Sequence, residues 1–456
     1  MNTTIHLVYL ACAVSFVIGL HWMNAPATAR RGNQISAAGM ALAILTTVVV
    51  LVRDHTVTLG AAVALVIGSA AGGLAGLLTA RRVQMTAMPQ LVSLFNAVGG
   101  GAAALIALGD RTASVFGVLD VAIGGVTFTG SLVAAGKLAG RIPGRPITVP
   151  FGRWLSAALT ALAAALGVWF VADGGNQWLL GGVTLAALAG GLLLSLPIGG
   201  ADMPVVISLL NAFTGTAVAM AGFVLDSTPL IIAGGLVGAA GAILTKLMAD
   251  AMNRPISAIM AGGYGTGDAV AVATGSGSAA VREITADDAA IQLAYASKVV
   301  IVPGYGLAAA QAQHEAVALA EALTERGVEV TYAIHPVAGR MPGHMNVLLA
   351  EANAPYQQLK DLEESNPEFA RTDVALIIGA NDVTNPAARR PGNPVSGMPI
   401  LDVDKARSVI VLKRSLGHGY AGIDNELYSD PKTAMLFADA KAGLGALLSG
   451  LHAYAD

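Results

Sequence analysis

The sequence predicts a multi-span α-helical membrane bundle of nine transmembrane helices, followed by a Rossmann-like α/β domain with a parallel sheet. Nine apolar stretches fill the first 250 residues. The mean hydropathy is +0.65 and only 12% of residues are charged, which excludes an ordinary soluble enzyme. Farther along, strands alternate with helices. We therefore divide the chain into a membrane domain (1–250), a linker or hinge (251–285) and an α/β domain (286–456).

The apolar stretches are each about 17–25 residues long, which is enough to cross a hydrocarbon core of roughly 30 Å. The predicted spans are 4–23, 36–52, 57–79, 88–108, 115–137, 154–172, 177–197, 203–225 and 228–250.

Basic residues in the short loops predict the orientation. Arg30-Arg31, Arg81-Arg82 and the group Lys137, Arg141 and Arg145 follow spans one, three and five, whereas the loops after the even-numbered spans carry little or negative charge. Basic loops stay in the cytoplasm, so we expect the N-terminus outside. Nine crossings then place the α/β domain in the cytoplasm.

The two parts differ in charge. Residues 1–254 contain 12 Lys/Arg and 7 Asp with no Glu, whereas residues 255–456 contain 14 Lys/Arg and 22 Asp/Glu. This distribution is typical of a membrane anchor with a cytoplasmic head and does not indicate nucleic-acid binding. Cys12 is the only cysteine, so neither a disulfide framework nor a cysteine metal site is predicted.

Polar residues inside the spans cost free energy unless they are satisfied. Asn96 lies in span four, Ser131 and Asp120 in span five, and Asn211 in span eight, with Asp202 at the inner end of that span. We expect Asp120 near the outer interface. For Asn96 and Asn211 two interpretations stay open: interhelical hydrogen bonding, which sequence alone favours, and a proton or ion path.

The α/β domain opens with Lys298-Val-Val-Ile-Val-Pro-Gly304-Tyr-Gly306, a strand, a glycine turn and a helix start. A short helix before it has Thr285 or Asp287 as N-cap candidates, and Gly263-x-Gly265-x-Gly267 is interpreted as a hinge. Strands are predicted at 298–302, 328–334, 373–379, 398–403 and 408–412, and helices at 307–326, 343–353 and 431–449.

Four loops follow predicted strands at one edge of this sheet. They are Gly304–Ala309, Val337–His344, Gly379–Asp382, and Lys413–Ser415 with the glycine segment after it. Ligands of parallel sheets bind at the carboxyl ends of the strands. Any one loop alone would fit a plain turn, but four together predict a dinucleotide cleft.

The cations in these loops favour NADP over NAD. An NAD site usually ends its second strand with an acid that binds the ribose 2′-hydroxyl, but here that strand ends Ile334-His335-Pro336. Arg340, Lys413 and Arg414 offer donors for a 2′-phosphate, and Ser415 adds a hydroxyl.

Several longer strings resemble the beta subunit of proton-translocating NAD(P) transhydrogenases. The resemblance runs from the first span to the C-terminus. The strings are Val126–Ser131, Gly200–Asn211, Pro303–Gly306, His335–Asn346, Gly379–Asp382, Lys413–Ser415 and Gly419–Gly422.

The resemblance implies hydride transfer from NADH, held on a partner alpha subunit, to NADP⁺ bound here, driven by inward proton movement. It implies one or more alpha chains carrying the NAD(H) domain and further membrane helices. It also implies a dimer of the alpha–beta unit in the lipid of the bacterial inner membrane. The NADP(H) would lie flipped relative to ordinary Rossmann proteins, under a lid at 417–425.

The resemblance also assigns residues. Those of the reaction centre are Tyr305, His335 and Asp382. The cofactor-binding residues are Gly304, Tyr305, Gly306, Ala309, Val337, Ala338, Gly339, Arg340, Met341, Gly343, Gly379, Ala380, Asn381, Asp382, Lys413, Arg414, Ser415, Gly419, Tyr420, Ala421, Gly422, Asp424 and Asn425. The proton path would contain Asn96, Ser131, Asp202 and Asn211, and no metal is expected.

One position departs from the family pattern. Many members carry a histidine in the fourth span, where this chain has Asn96, and an amide does not titrate. Either a partner residue supplies the titrating group, or Asn96 and Asn211 hold a chain of water. The alternative from another functional class is an NADP-sensing domain that gates a transporter or channel.

Overall fold

The computed structural model describes residues 3–23, 26–53, 58–84, 87–110, 112–144, 146–200, 202–261, 281–340, 343–393, 395–419 and 421–453. The chain divides into two compact units. The first contains Met1–Ile198 and Val206–Thr245, and the second contains Gly199–Val205 and Lys246–Asp456. The predicted glycine hinge at 263–267 lies outside the described residues.

Nine helices of the described chain are long and apolar enough to cross a membrane, which confirms the predicted bundle. They are α1 (Thr3–Met23), α2 (Pro26–Arg53), α3 (Leu59–Arg82), α4 (Met88–Gly109), α5 (Val115–Leu138), α6 (Gly152–Ala172), α7 (Gln177–Ser195), α8 (Met203–Val224) and α9 (Thr228–Ala251).

Side-chain caps account for several helix starts. Thr58 accepts a hydrogen bond from the amide of Ala61 before α3, Ser114 caps α5, and Asn176 caps α7. Each cap satisfies one of the amides that a helix leaves without a partner at its N-terminus.

The second helix begins ten residues earlier than predicted, at Pro26 rather than residue 36. Arg30 and Arg31 therefore lie on a helix and not in a loop. The polar segment before residue 36 contains good helix formers, and hydropathy alone could not detect it. Lys137 is also not in a loop: it lies within α5, is buried, and donates to the carbonyls of Leu196 (2.6 Å) and Ile198 (2.7 Å).

Small residues allow close helix contacts within the bundle. A Cβ built on Gly124 of α5 would lie 2.5 Å from the carbonyl oxygen of Gly100 on α4. A Cβ on Gly125 would lie 3.0 Å from Cβ of Ala187 on α7. Lipid supplies no hydrophobic driving force for helix association, so close packing at small residues stabilises these helix contacts instead. Burial is greatest along α4, α5 and α8 and smallest along α3.

The second unit contains a six-stranded parallel sheet, which confirms the Rossmann-like prediction. Its spatial order is β3-β2-β1-β4-β5-β6. The strands are β1 (Lys298–Pro303), β2 (Glu329–Ala333), β3 (Leu359–Lys360), β4 (Val374–Ile378), β5 (Ser408–Lys413) and β6 (Thr433–Phe437). The order reverses between β1 and β4, and ligands of doubly wound sheets bind at such a switch point.

Seven shorter helices complete the described part of this unit. They are α10 (Ile256–Ala261), α11 (Ala286–Ala294), α12 (Tyr305–Ala309), α13 (Gln313–Glu325), α14 (His344–Glu351), α15 (Leu362–Phe369) and α16 (Ala440–Ala453). Thr285 caps α11 by accepting the amide of Asp288, which confirms the first of its two predicted caps.

Three predicted elements of this unit are wrong. The segment 398–403 is not a strand; it runs beside α15, where Asn366 donates to the carbonyl of Ile400 (3.0 Å). The helix predicted at 431–449 is the strand β6 followed by α16. Alanine and leucine favour helices, so the sequence pattern did not distinguish the strand from the helix after it. The helix predicted at 307–326 is broken at Ala310–Ala312, where Gln311 has φ of +52°.

Candidate dinucleotide-binding site

The loops after β1 and β4 are clasped together at the switch point of the sheet. The amide of Gly304 donates to the carbonyl of Ile378 (2.9 Å), and that of Gly306 to Gly379 (3.0 Å). A Cβ added to Gly306 would lie 2.6 Å from Cα of Gly379, which itself has φ of +63°. The close approach predicted for the glycine turn is present, and it is made to the neighbouring loop.

A cleft of about 520 Å³ opens beside this clasp, within the usual range of ligand sites. The loops after β1, β2, β4 and β5 all contribute to it. Predicted residues that line it are Gly304, Tyr305, Gly306, Val337, Ala338, Gly339, Arg340, Gly379, Ala380, Asn381, Asp382, Lys413, Arg414, Ser415 and Gly419. The four loops thus converge on one cavity.

Cations lie on two of these loops. The guanidinium of Arg340 lies 4.3 Å from the centroid of the Tyr305 ring, a cation–π contact that joins the β2 loop to the start of α12. Arg414 and Ser415 follow β5 and are exposed at the cleft. The strand β2 is followed by Ile334 and His335, so no carboxylate occupies the place that binds a 2′-hydroxyl.

Lys413 is more enclosed than Arg414. Its ammonium donates to the carbonyl of Gly417 and to the hydroxyl of Tyr428 (3.3 Å), and it lies 5.0 Å from the centroid of that ring. Burial lowers the pKa of Lys413, and the nearby carboxylate of Asp382 partly offsets this effect. Lys413 therefore organises the turn after β5 as well as adding charge to the cleft.

His335 lies beneath the β2 loop and does not line the cleft. Its Nδ1 accepts the amide of Val337 (3.2 Å), so Nε2 carries the proton and donates to the carbonyl of Pro399 (2.7 Å). Burial lowers the pKa of His335 to about 4. A neutral imidazole therefore holds the loop in place.

The β2 loop turns sharply before α14. Gly339 has φ of +104°, and a Cβ there would lie 2.5 Å from Nδ1 of His344. That nitrogen accepts the amide of Arg340 (3.1 Å). The glycine and the histidine together set the direction in which Arg340 leaves the loop.

The segment Ser415–Asn425 is fastened to the loop after β4. Asp382 Oδ2 accepts the amide of Ala421 (3.0 Å), and a Cβ on Gly419 would collide with the same carboxylate. Asn385 Nδ2 donates to the carbonyl of Asp424 (3.0 Å). Asp382 therefore holds the segment that the resemblance identifies as a lid.

A second set of contacts lies under this segment. Asn425 Nδ2 donates to the carbonyl of Asn381 (3.0 Å), and its Oδ1 accepts the amide of Leu427 (3.0 Å). The buried Tyr428 donates its hydroxyl to the carbonyl of Ala380 (3.3 Å). Sequence reasoning missed Tyr428 and Asn385, because neither belongs to a glycine motif and their partners are distant in sequence.

The remaining predicted cofactor residues lie around the cleft without lining it. These are Ala309, Gly343, Ala421, Gly422, Asp424 and Asn425, while Met341 and Tyr420 lie outside the described residues. The lining residues that sequence reasoning did not assign to the site are Gly200, Pro204, Met252, Val383 and Met398, while Gly417 and His418 belong to the predicted lid. Among the described residues, no group of three His, Cys, Asp or Glu could hold a metal ion.

The polar residues predicted in the spans have different surroundings. Asn96 on α4 donates to the carbonyl of Ile207 on α8 (3.2 Å), and Thr214 returns a bond to the Asn96 carbonyl (3.2 Å). Ser131 is fully buried, and its carbonyl accepts Ser93 (2.8 Å). Asn96 thus ties two helices together.

Asp202 and Asn211 lie nine residues apart, and among the described residues only Asp202 has a side-chain partner. Arg254 donates to both carboxylate oxygens of Asp202, at 2.7 and 2.8 Å. Asn211 is half-buried on α8, and the structure describes no hydrogen bond of its side chain. The four predicted path residues therefore do not form one connected hydrogen-bond network among the described residues.

Comparison with known proteins places this architecture in a family. Residues 5–450 match the model of the NAD(P) transhydrogenase beta subunit. The NAD(P) transhydrogenase subunit beta of Rhodospirillum rubrum is 48% identical over 451 residues, covering 95% of this chain and 96% of that protein. A protein of the same name from one strain of that organism gives the same values. The chain belongs to the NAD(P) transhydrogenase beta subunit family.

Proposed function

We propose that this chain is the NADP(H)-binding, proton-translocating half of a transhydrogenase. It would couple hydride transfer from NADH on a partner alpha subunit to NADP⁺ held here with inward proton movement. The observation that carries the cofactor assignment is the cleft at the β1–β4 switch point, lined by Arg340, Lys413 and Arg414 and without an acid after β2.

The cleft fits NADP(H) by its volume, its position and its charge. Arg340, Arg414 and Ser415 would hold the 2′-phosphate, since arginine forks match phosphate oxygens and the serine adds a hydroxyl donor. Lys413 would add a positive charge from a fixed position, because its ammonium is already tied to Gly417. The loops at Gly304–Ala309 and Gly379–Asp382 would face the pyrophosphate and nicotinamide half.

NADP(H), when bound, supplies the nicotinamide that exchanges the hydride. The protein's part is to orient that ring at a subunit interface and to exclude water. Asp382 would close the segment Ser415–Asn425 over the cleft through the amide of Ala421. His335 would act from beneath by fixing the β2 loop, because it is buried and neutral.

The arrangement supports an enzyme that works only with its partner, because one dinucleotide cleft cannot transfer a hydride between two cofactors. The partner would carry the NAD(H) site and further membrane helices, with the alpha–beta unit forming a dimer. We propose the bacterial inner membrane as its location, with the N-terminus outside and the cleft in the cytoplasm, as the basic residues near the ends of the predicted spans favour.

Cofactor binding tests the first half of the proposal. NADP⁺ and NAD⁺ should be titrated separately against the full chain in detergent, with 2′-phospho-ADP-ribose and ADP-ribose as fragments. We expect NADP⁺ and the 2′-phosphorylated fragment to bind more tightly than their counterparts. Equal affinities within each pair would reject the 2′-phosphate assignment.

Hydride transfer with the partner tests the second half. The complex should reduce NADP⁺ with NADH, and neither subunit alone should do so. NADP⁺ binding without any hydride transfer in the complex, together with movement of a solute across the membrane, would instead support a sensing domain that gates a transporter.

A further inference from the structure

Asp120 is a buried acid that the path predicted from the sequence does not contain. It lies on α5, it is 0% exposed, and neither carboxylate oxygen has a hydrogen-bond partner among the described residues. It is the sixth residue of the helix, about 7 Å along the axis from Val115. Burying an ionisable group inside a membrane span costs free energy, and such groups usually mark ion or proton pathways.

The side of α5 that carries Asp120 is defined by its neighbours. Gly117 and Gly124, three residues before and four residues after it, both face α4: an added Cβ on Gly117 would lie 4.0 Å from Ala107, and one on Gly124 would lie 3.0 Å from Ala104. Residues three and four apart share one face of a helix. Asp120 therefore faces α4 between the levels of Ala104 and Ala107.

Farther along the same face lies a line of buried hydroxyls. Thr127 and Ser131 follow Asp120 at intervals of seven and eleven residues, about 10 and 16 Å along the axis. Both are 0% exposed, as is Ser93 opposite them on α4. The hydroxyl oxygen of Ser131 also lacks a hydrogen-bond partner among the described residues. Asn96 lies one turn from Ser93 on α4.

The described helices that pack against α5 carry only one charged side chain among them. The helices α4, α7 and α8 contain no Asp, Glu, Lys, Arg or His, and α6 contains only Arg153 at its start. Gly167, near the other end of α6, lies against Val118 of α5. Lys137 lies seventeen residues farther along α5 and is bonded to two carbonyls.

We propose that Asp120 is a proton-carrying residue at the outer end of a polar line formed by Asp120, Thr127, Ser131, Ser93 and Asn96. This role rests on the proton coupling proposed above. The Asp120 carboxylate accepts a proton from the nearer membrane surface and forms a neutral acid. It releases that proton along the line through hydroxyls and bridging water, which restores the carboxylate.

The test compares two activities of one complex in sealed liposomes. Proton-linked transhydrogenation, followed with internal pH, needs the path. Cyclic hydride exchange at an NADP site that stays occupied needs only the hydride machinery. Asp120→Asn keeps the shape of the side chain but replaces the carboxylate by an amide that does not titrate. In this variant we expect proton-linked activity to fall by about 100-fold. Cyclic exchange, NADP⁺ binding and assembly should stay near wild type, and Asp120→Glu should recover part of the coupled activity.

Asp110→Asn is the matched control, because Asp110 follows α4 at the same end of the helix pair and bonds the exposed Thr112. It should leave both activities unchanged. Three results would overturn the inference. The first is proton-linked activity that stays unchanged in Asp120→Asn. The second is a parallel loss of proton-linked and cyclic activity, with poor assembly, in both Asp120→Asn and Asp120→Ser. The third is a loss of proton-linked activity in Asp110→Asn equal to that in Asp120→Asn. A wild-type complex that transfers hydride without any pH change would instead reject the proposed function itself.

Discussion

The two units satisfy their buried polar groups in different ways. In the helix bundle, side-chain donors bond backbone carbonyls: Ser93 to Ser131, Asn96 to Ile207, and Lys137 to the end of α7. In the second unit, acids and bases pair with each other, and every ion pair found among the described residues lies there.

This difference matches the two roles proposed for the units, proton movement in the bundle and cofactor binding in the second unit. In the bundle, donors that bond carbonyls join helices, and neither carboxylate oxygen of Asp120 has a hydrogen-bond partner among the described residues. In the second unit, Asp382 and Asn385 bond backbone atoms of the segment beside the cleft, and these bonds fix loops around a cavity. The first arrangement suits a path, and the second suits a binding site.

The largest expected effect is at the clasp that shapes the cleft. Gly306→Val would place its Cβ 2.6 Å from Cα of Gly379, and neither backbone can move without opening the loops. We expect NADP⁺ affinity to fall by about 3 kcal/mol or more, the upper end of overpacking costs. Equilibrium binding to the full chain measures it. Gly445→Val, at a position with open space around it, is the control, and similar losses in both would show that the clasp does not matter.

The next effect is a pH dependence of the stability of the second unit. His335 is buried and neutral, with its pKa lowered from 6.5 to about 4. The unfolded chain therefore binds more protons between these values, so the stability that His335 contributes is complete above pH 6.5 and is lost as pH falls toward 4. The full loss is about 3 kcal/mol.

Calorimetry of the full chain in detergent between pH 4 and 7 measures this slope. His335→Gln should unfold at a lower temperature near pH 7 and show a shallower decline on acidification. The exposed His452→Gln should behave as wild type. A slope that survives unchanged in His335→Gln would assign the pH dependence to other groups.

A smaller effect distinguishes the two dinucleotides. Arg414→Ala should weaken NADP⁺ binding by about 1–3 kcal/mol, the value of a lost charged hydrogen bond, and should leave NAD⁺ binding nearly unchanged. Arg371→Ala removes an equally exposed arginine away from the cleft. If NAD⁺ and NADP⁺ lose equal affinity in Arg414→Ala, the residue does not read the 2′-phosphate.

The smallest effect tests the bundle. Asn96→Leu removes the bond to Ile207 and should lower thermal stability by roughly 1 kcal/mol, as interhelical hydrogen bonds in membranes do. Asn211→Leu should cost less stability, because no side-chain bond of Asn211 is described, and should reduce proton-linked activity more than cyclic exchange. A larger loss of thermal stability in Asn211→Leu than in Asn96→Leu would make Asn211 the structural residue.

Much of this architecture follows from local pattern. Hydropathy predicted the nine spans, because a span needs a continuous apolar stretch, and the alternation of strands and helices predicted the parallel sheet, though not its strand order. The cations of the cleft were also visible, because they end strands whose carboxyl ends must meet at one edge.

Other features depend on contacts between distant segments. The neutral state of His335 results from burial by segments distant in sequence, and the Tyr428 hydroxyl bonds the carbonyl of Ala380, 48 residues away. Sequence reasoning missed the strand β6 because its residues also suit a helix. Its strand conformation depends on packing against neighbouring elements, which the local sequence does not show. The burial of Lys137 needed the carbonyl ends of α7, which no local pattern marks.

The central claim is that one chain joins an NADP cleft to a proton path. The most direct measurement follows hydride transfer and internal pH together, with this chain and its alpha partner reconstituted in sealed liposomes. The account predicts that NADP⁺ reduction and the pH change start together, and that an imposed proton gradient alters the rate of hydride transfer. Hydride transfer at an unchanged rate, with no pH change and no response to the gradient, would contradict it.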